Sequence, residues 1–161
     1  MAEPKIARHQ KLGASEGLVE IHVGLEAEAW HGFDIESLWA EALGDDRYLL
    51  RSTPFYAFDL SPEDIVRAKP KSAGSAPTLE EVVERGGTST YRVFVRRGIE
   101  DPTFEKYFGP LEELDCNYEA ADANLASIEV PPQATLEEVY ELLEEGESAG
   151  VWEFEEGRAA S

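Results

Sequence analysis

An α+β protein arranged as two successive lobes is predicted from three features of this chain. Short stretches with apolar residues at every second position recur between Leu18 and Phe154, the pattern of half-buried strands. Two segments in the second half carry apolar residues at i, i+3, i+4 and i+7, the pattern of amphipathic helices. The 161 residues suffice for one sizeable domain or two small lobes sharing a core, and with 42% of them apolar a packed interior is within reach.

Residues 1–17 are expected to form a flexible tail. Met1 to Gly13 carries Lys5, Arg8 and Lys11 with no apolar stretch behind them, so it reads as a frayed end and not as a secretory signal. From Leu18 to Leu25, Val19, Ile21 and Val23 alternate with Glu20 and His22, which predicts a strand. Gly32 breaks the pattern. Ile35 to Leu43 and Arg47 to Ser52 then read as a hairpin around Gly44-Asp45-Asp46, with a connection longer than the tightest two-residue turns. Thr53-Pro54 ends it, Phe55 to Phe58 reads as a short aromatic strand, Ser61 to Asp64 as a turn, and Ile65 to Ala68 as another short strand.

Lys69 to Pro77, made of Pro, Gly, Ser, Ala and Lys, has the composition of a flexible loop. Residues 78–85 admit two readings. Thr78 with Glu81 fits a capping box opening a short helix, whereas Val82-Val83 before Gly86-Gly87 fits a strand. Strand is preferred, because a cluster of short strands leaves an edge for it to pair with.

Beyond Thr90 the order is plainer. Tyr91, Val93 and Val95 alternate with Arg92, Phe94 and Arg96 in a strand expected to lie centrally. Asp101-Pro102 is an N-cap with proline at the first helical position, and Phe104, Tyr107, Phe108 and Leu111 form one stripe. Gly109-Pro110 should kink or divide that helix before Asp115. Cys116 to Ala121 and Leu125 to Val130 make a hairpin closed by Pro131-Pro132. Thr135 with Glu138 is a capping box for a last helix, whose buried stripe is Leu136, Val139, Tyr140 and Leu143 and whose exit Gly146 and Gly150 bracket. Val151 to Glu155 is a closing strand with Trp152 and Phe154 on one face.

Residues 89–157 thus read as a ferredoxin-like βαββαβ lobe, residues 18–88 as a small β-rich, barrel-like lobe, and residues 158–161 as a second tail. No fixed-period repeat is visible.

Leu38 to Ala68, Gly86 to Val93 (GGTSTYRV) and Gly150 to Gly157 (GVWEFEEG) resemble, in order and spacing, a bacterial family known as domain of unknown function 4265. The resemblance covers most of the chain from about residue 18. It implies a bacterial cytoplasmic protein and glycine at the position of Glu63. It supplies no activity and no functional residue.

Charge bounds the function. The net charge is −20, and residues 98–161 hold 18 of the 34 acids but 2 of the 14 bases. Phosphate contacts to nucleic acid are disfavoured for that half, and a basic protein partner is the natural complement. Half of the bases, from Arg67 to Arg97, crowd just before it. No apolar run approaches the roughly 20 residues that span a bilayer. Cys116 is the only cysteine, so no internal disulfide forms and a reducing cytoplasm fits. It reads as a small buried hydrophobe and not as a catalytic thiolate.

No catalytic motif stands out and no cofactor is called for. His22, His31 and Asp34 lack the close ligand spacing of a metal site, and no Gly-x-Ser-x-Gly elbow accompanies any serine. Gly86 to Thr90 precedes a strand, whereas phosphate loops precede a helix, so a tight turn is the better reading.

Two functions remain. The leading expectation is a non-enzymatic interaction protein, of regulator, inhibitor or immunity type. It would dock a basic partner through Glu137, Glu138, Glu141, Glu144 and Glu145 on the outer face of the last helix. Like charges one turn apart there cost about 0.2–0.5 kcal/mol per pair, which solubility alone also justifies. The alternative is a small-molecule binding module with a pocket between the lobes, walled by Trp30, Trp39 and Tyr56.

Overall fold

The computed structural model describes residues 3–10, 17–26 and 28–160. Ten strands and two helices are assigned among them. The strands are β1 (Ile6–Arg8), β2 (Leu18–Gly24), β3 (Ile35–Gly44), β4 (Arg47–Leu50), β5 (Ile65–Pro70), β6 (Pro77–Glu84), β7 (Ser89–Val95), β8 (Asn117–Ala120), β9 (Leu125–Val130) and β10 (Trp152–Arg158); the helices are α1 (Pro102–Glu112) and α2 (Leu136–Ser148). The protein is mixed α+β and mostly strand, with two sheets.

The first sheet has six strands in the order β1-β3-β2-β6-β5-β4, and β3 pairs also with β4. Period-2 alternation puts Ile21 of β2 and Leu38 and Ala40 of β3 on one face, fully buried with Leu50, Val66 and Ala68. The pairings pass from β2 through β3, β4, β5 and β6, and return to β2 by a single parallel pair, His22 with Thr78.

The second sheet is antiparallel, in the order β10-β7-β9-β8. Both helices pack on one of its faces. Phe104, Phe108 and Leu111 of α1 and Val139 and Leu143 of α2 close over Val93, Ile128 and Trp152. Trp152 is fully buried, and its indole N–H donates to the Leu143 carbonyl at 2.9 Å. Gly146, expected at the helix exit, lies inside α2, where a Cβ would overlap that indole.

Several local expectations are corrected. Within the stretch expected to fray, Ile6–Arg8 instead pairs in parallel with β3, and His9 is buried; Met1, Ala2 and residues 11–16 lie outside the described residues. At the other end β10 runs on to Arg158, and the Ala160 N–H donates to Ser89 Oγ at 2.9 Å. The β3–β4 connection is a two-residue loop. Gly44 pairs with Arg47, and Asp45 and Asp46 both have positive φ, the signature of a type I′ turn. Phe55 to Phe58 is not a strand.

The loop expected over Lys69 to Pro77 is shorter, since Lys69 pairs with Thr78 and Pro70 with Pro77. α1 continues through Pro110, which falls in the last turn of the helix. Thr135 occupies the N-cap of α2, yet its side chain makes no capping hydrogen bond. Residues 78–85 resolve in favour of the strand, β6.

Glu63 has φ +75° in the turn before β5, and its backbone presses so closely on Gly86 that no Cβ fits at position 86. A non-glycine residue in that left-handed region carries strain of about 1–2 kcal/mol. Glu63→Gly, the residue the family resemblance implies, relieves it and loses only a long, half-exposed ion pair to Arg51 at 4.0 Å. After the larger chain entropy of the unfolded glycine variant is deducted, a gain of about 0.5–1 kcal/mol is expected. Urea unfolding checks it, and a midpoint at or below wild type contradicts it.

Candidate functional site

Where the two sheets meet, two stretches outside the strands come together: residues 25–34, apart from Ala27, which lies outside the described residues, and residues 51–60. The first is pinched at its base by Leu25 N–H to Asp34 O, 2.9 Å, and Gly32, at φ +75°, turns it back so that Trp30 and His31 project. The second has almost no backbone partners of its own. A carboxylate holds it instead.

Glu36 shares the buried face of β3 with Leu38 and Ala40 and is fully buried. Its Oε2 accepts from Phe55 N–H at 2.6 Å, and its Oε1 from Tyr56 and Ala57 N–H at 3.0 and 2.8 Å. His9 Nε2 meets the same carboxylate at 2.6 Å, its Nδ1 reaches Glu119 on β8, and its ring stacks on Phe55 with centroids 3.9 Å apart.

Burial lowers the His9 pKa, but hydrogen bonds to Glu119 and Glu36 and the charges of both outweigh it and raise it to about 9. Burial likewise raises that of Glu36, and the His9 bond, the His9 charge and the backbone donors reverse it, holding the carboxyl below its ordinary value. A buried imidazolium between two carboxylates therefore ties the first sheet to the second.

Arg92 reaches the same stretch from β7. Its side chain is 1% exposed, because Pro54, Ala57 and Phe58 lie against it on the sheet face opposite the helices. Its Nη1 donates to the Ala57 and Pro54 carbonyls at 2.7 and 3.4 Å, its Nε to Glu155 at 3.0 Å, and its guanidinium lies 4.5 Å from the centre of the Phe58 ring. Its Nη2 has no hydrogen-bond partner among the described residues. Ser127 Oγ to Thr53 O and Asp59 N–H to Gly157 O complete the junction.

The result is a cleft of about 560 Å³ lined by Leu25, Glu26, Trp30, His31, Tyr56, Phe58 and Glu155 among others. A second hollow of about 430 Å³ continues it past Trp30 and Glu155 to Arg92 and Phe94. Trp30 and Tyr56, two of the three aromatic walls expected, stand 5.8 Å apart between centroids at 68°. Trp39, the third, is not part of the cleft. It lies on the other face of β3 from Glu36, and its indole N–H donates to the His9 carbonyl at 3.1 Å.

The five glutamates expected to face a partner, Glu137, Glu138, Glu141, Glu144 and Glu145, are all exposed, and none forms an ion pair among the described residues. Glu138, Glu141 and Glu145 border a groove of about 250 Å³ floored by Leu114 and Leu142.

The other sequence motifs have structural duties. Cys116 is buried in the helix-side core, and burial, then the charges of Asp115 and Glu129, push its thiol up to about 11. The Gly86 N–H donates to Asp64 at 3.0 Å, so the glycine turn holds a carboxylate of its own chain. His31 Nδ1 accepts from Phe33 N–H, and Asp34 accepts from Lys5 N–H. No group of three His, Cys, Asp or Glu side chains is arranged for a metal ion among the described residues. No helix there is long and apolar enough to cross a membrane.

Fold and cleft define a mixed α+β protein with an open hollow beside the junction of its two sheets. The chain belongs to the family described as domain of unknown function (DUF4265), whose model matches residues 36–154. No curated protein matches it. Among solved structures it is similar to a hypothetical protein from Neisseria gonorrhoeae, with a TM-score of 0.75 at 17% identity over 89% of this chain and 96% of that one. At that identity the likeness concerns the fold alone.

The His9 network sets a pH dependence. The folded pKa is raised above the unfolded 6.5, so its stabilisation is fully present below about pH 6.5 and is lost as pH rises through about 9. The melting temperature should fall between those values, with a loss of order 3 kcal/mol. His9→Gln should start lower and show a flatter profile over the same range; equal slopes contradict the assignment.

Proposed function

We propose that this is a non-enzymatic binding protein whose ligand seats in the cleft between the two sheets. The observation that carries the reading is Trp30. It is 75% exposed, yet it stands against Tyr56 and His31 over a hollow of about 560 Å³, within the range of small-molecule sites. We read the six-stranded sheet as a small, partly open barrel and the four-stranded layer with its helices as ferredoxin-like, so that the site lies at their seam. A single cysteine, buried and protonated, fits a reducing cytoplasm.

A fragment library read by amide chemical shifts tests this. Bound fragments should move the amides of residues 25–31 and 55–58, and Trp30→Ala should abolish those shifts while leaving stability within about 0.5 kcal/mol of wild type, as exposed positions do. Fragments that shift only amides elsewhere sink the reading.

The second reading keeps a basic protein partner, and the specific observation behind it is the row of exposed, unpaired glutamates on α2 beside the Leu114–Leu142 groove. Such a face speeds encounter and selects partners more than it adds affinity. Replacing Glu137, Glu141 and Glu145 together by Gln should leave the fold as stable or slightly more so. It should also slow association with whatever partner a pull-down recovers and flatten its salt dependence. Equal rates and salt slopes return the face to a role in solubility.

A further inference from the structure

Resting on the cleft reading above, we propose that the ligand is a small alkylammonium compound whose positively charged headgroup is boxed by Trp30, Tyr56 and Phe58. Three independent features of the site select that chemistry.

The first is geometry. Trp30 and Tyr56 form a corner, and Phe58 lines the same hollow while leaving 61% of its surface exposed. Ring faces attract cations through the electron density above the ring plane, more strongly once water is excluded. Phe58 already stacks with one cation, the Arg92 guanidinium.

The second is charge. Among the described residues, the Asp, Glu, Lys and Arg side chains lining the larger hollow are Glu26 and Glu155 alone. Glu155 is matched by Arg92, whereas Glu26 forms no ion pair among the described residues. Arg92 directs Nε to Glu155 and Nη1 to two backbone carbonyls, beneath Phe58, and with its unpartnered Nη2 it borders the second hollow and not the larger one. An anion would meet Glu26, Glu155 and a chain of net charge −20. A neutral guest would cover the rings but gain nothing from Glu26, an exposed carboxylate at the rim.

The third is the kind of cation. A bare metal ion needs several oxygen or nitrogen ligands, and no such group of side chains exists among the described residues. An ammonium carrying alkyl groups spreads its charge over apolar surface, and so suits aromatic walls with one or two carboxylates at the rim. A hollow of about 560 Å³ holds such a headgroup together with the short chain bearing it. That size favours a free small molecule over a side chain delivered by a protein.

The experiment titrates the whole chain with choline, with its uncharged isostere 3,3-dimethyl-1-butanol, with 3,3-dimethylbutyrate, and with a trimethyllysine peptide. Amide shifts and fluorescence are followed, and the Trp30→Phe variant assigns the Trp30 share of the emission. Choline should bind about tenfold or more tighter than the alcohol, and the carboxylate should not bind. Glu26→Gln should weaken choline severalfold and leave the alcohol unchanged, a difference that misfolding cannot produce. Trp30→Ala should weaken choline about tenfold at unchanged melting temperature.

Equal binding of choline and the alcohol overturns the cationic ligand while the cleft reading stands. So does the absence of choline shifts where library fragments move residues 25–31. A cleft silent to fragments and choline alike overturns both. A peptide binding tenfold tighter than choline overturns the free-molecule assignment in favour of a methylated protein.

Discussion

The carboxylate of Glu36 is the constraint on which the junction of the two sheets depends. It sits with no exposed surface on an otherwise apolar strand face, where an ionised group is tolerated only if its lone pairs are met by donors. Three successive backbone N–H groups and one imidazolium meet them. The dependence is mutual. Residues 55–57 have no sheet partner, so their donors would be orphaned without Glu36, and Glu36 would be an uncompensated buried charge without them.

That arrangement fixes more than one stretch of chain. Arg92 takes the carbonyl side of the residues whose N–H side Glu36 holds, so the segment is gripped by opposite charges from the two sheets. Tyr56 and Phe58 are carried on this segment, and Trp30 leans on Tyr56. The wall of the cleft is therefore set by buried electrostatics. A wall held in advance lowers the entropy lost on binding.

Much of this was legible in the sequence wherever one residue's environment is decided by its neighbours in the chain. Alternation located β2, β3 and β7, and the 3.6-residue stripe located α2, because local burial writes itself as a period. Trp30 is legible as an aromatic beside the break at Gly32, and Tyr56 as part of an aromatic stretch, and both suggest pocket walls. His9, Glu36 and Arg92 were not, since their partners lie far along the chain: Glu119 is 110 residues from His9, and Ala57 is 35 from Arg92. One sign was present. Glu36 falls in phase with Leu38 and Ala40, and a charged residue in the apolar phase of a strand marks a buried partner. Phe55 to Phe58 misled because aromatic composition suits a strand, while its donors go to a side chain instead of a neighbouring strand.

The state of Cys116 has a practical side. The chain's one thiol is enclosed by core side chains and keeps its proton well above neutral pH, so reagents that need an accessible thiolate find nothing to attack in the folded protein. A cysteine introduced at any exposed position is then the sole reactive handle. Spectroscopic labels can be set around the rim of the cleft one at a time, without first stripping the native residue from the core.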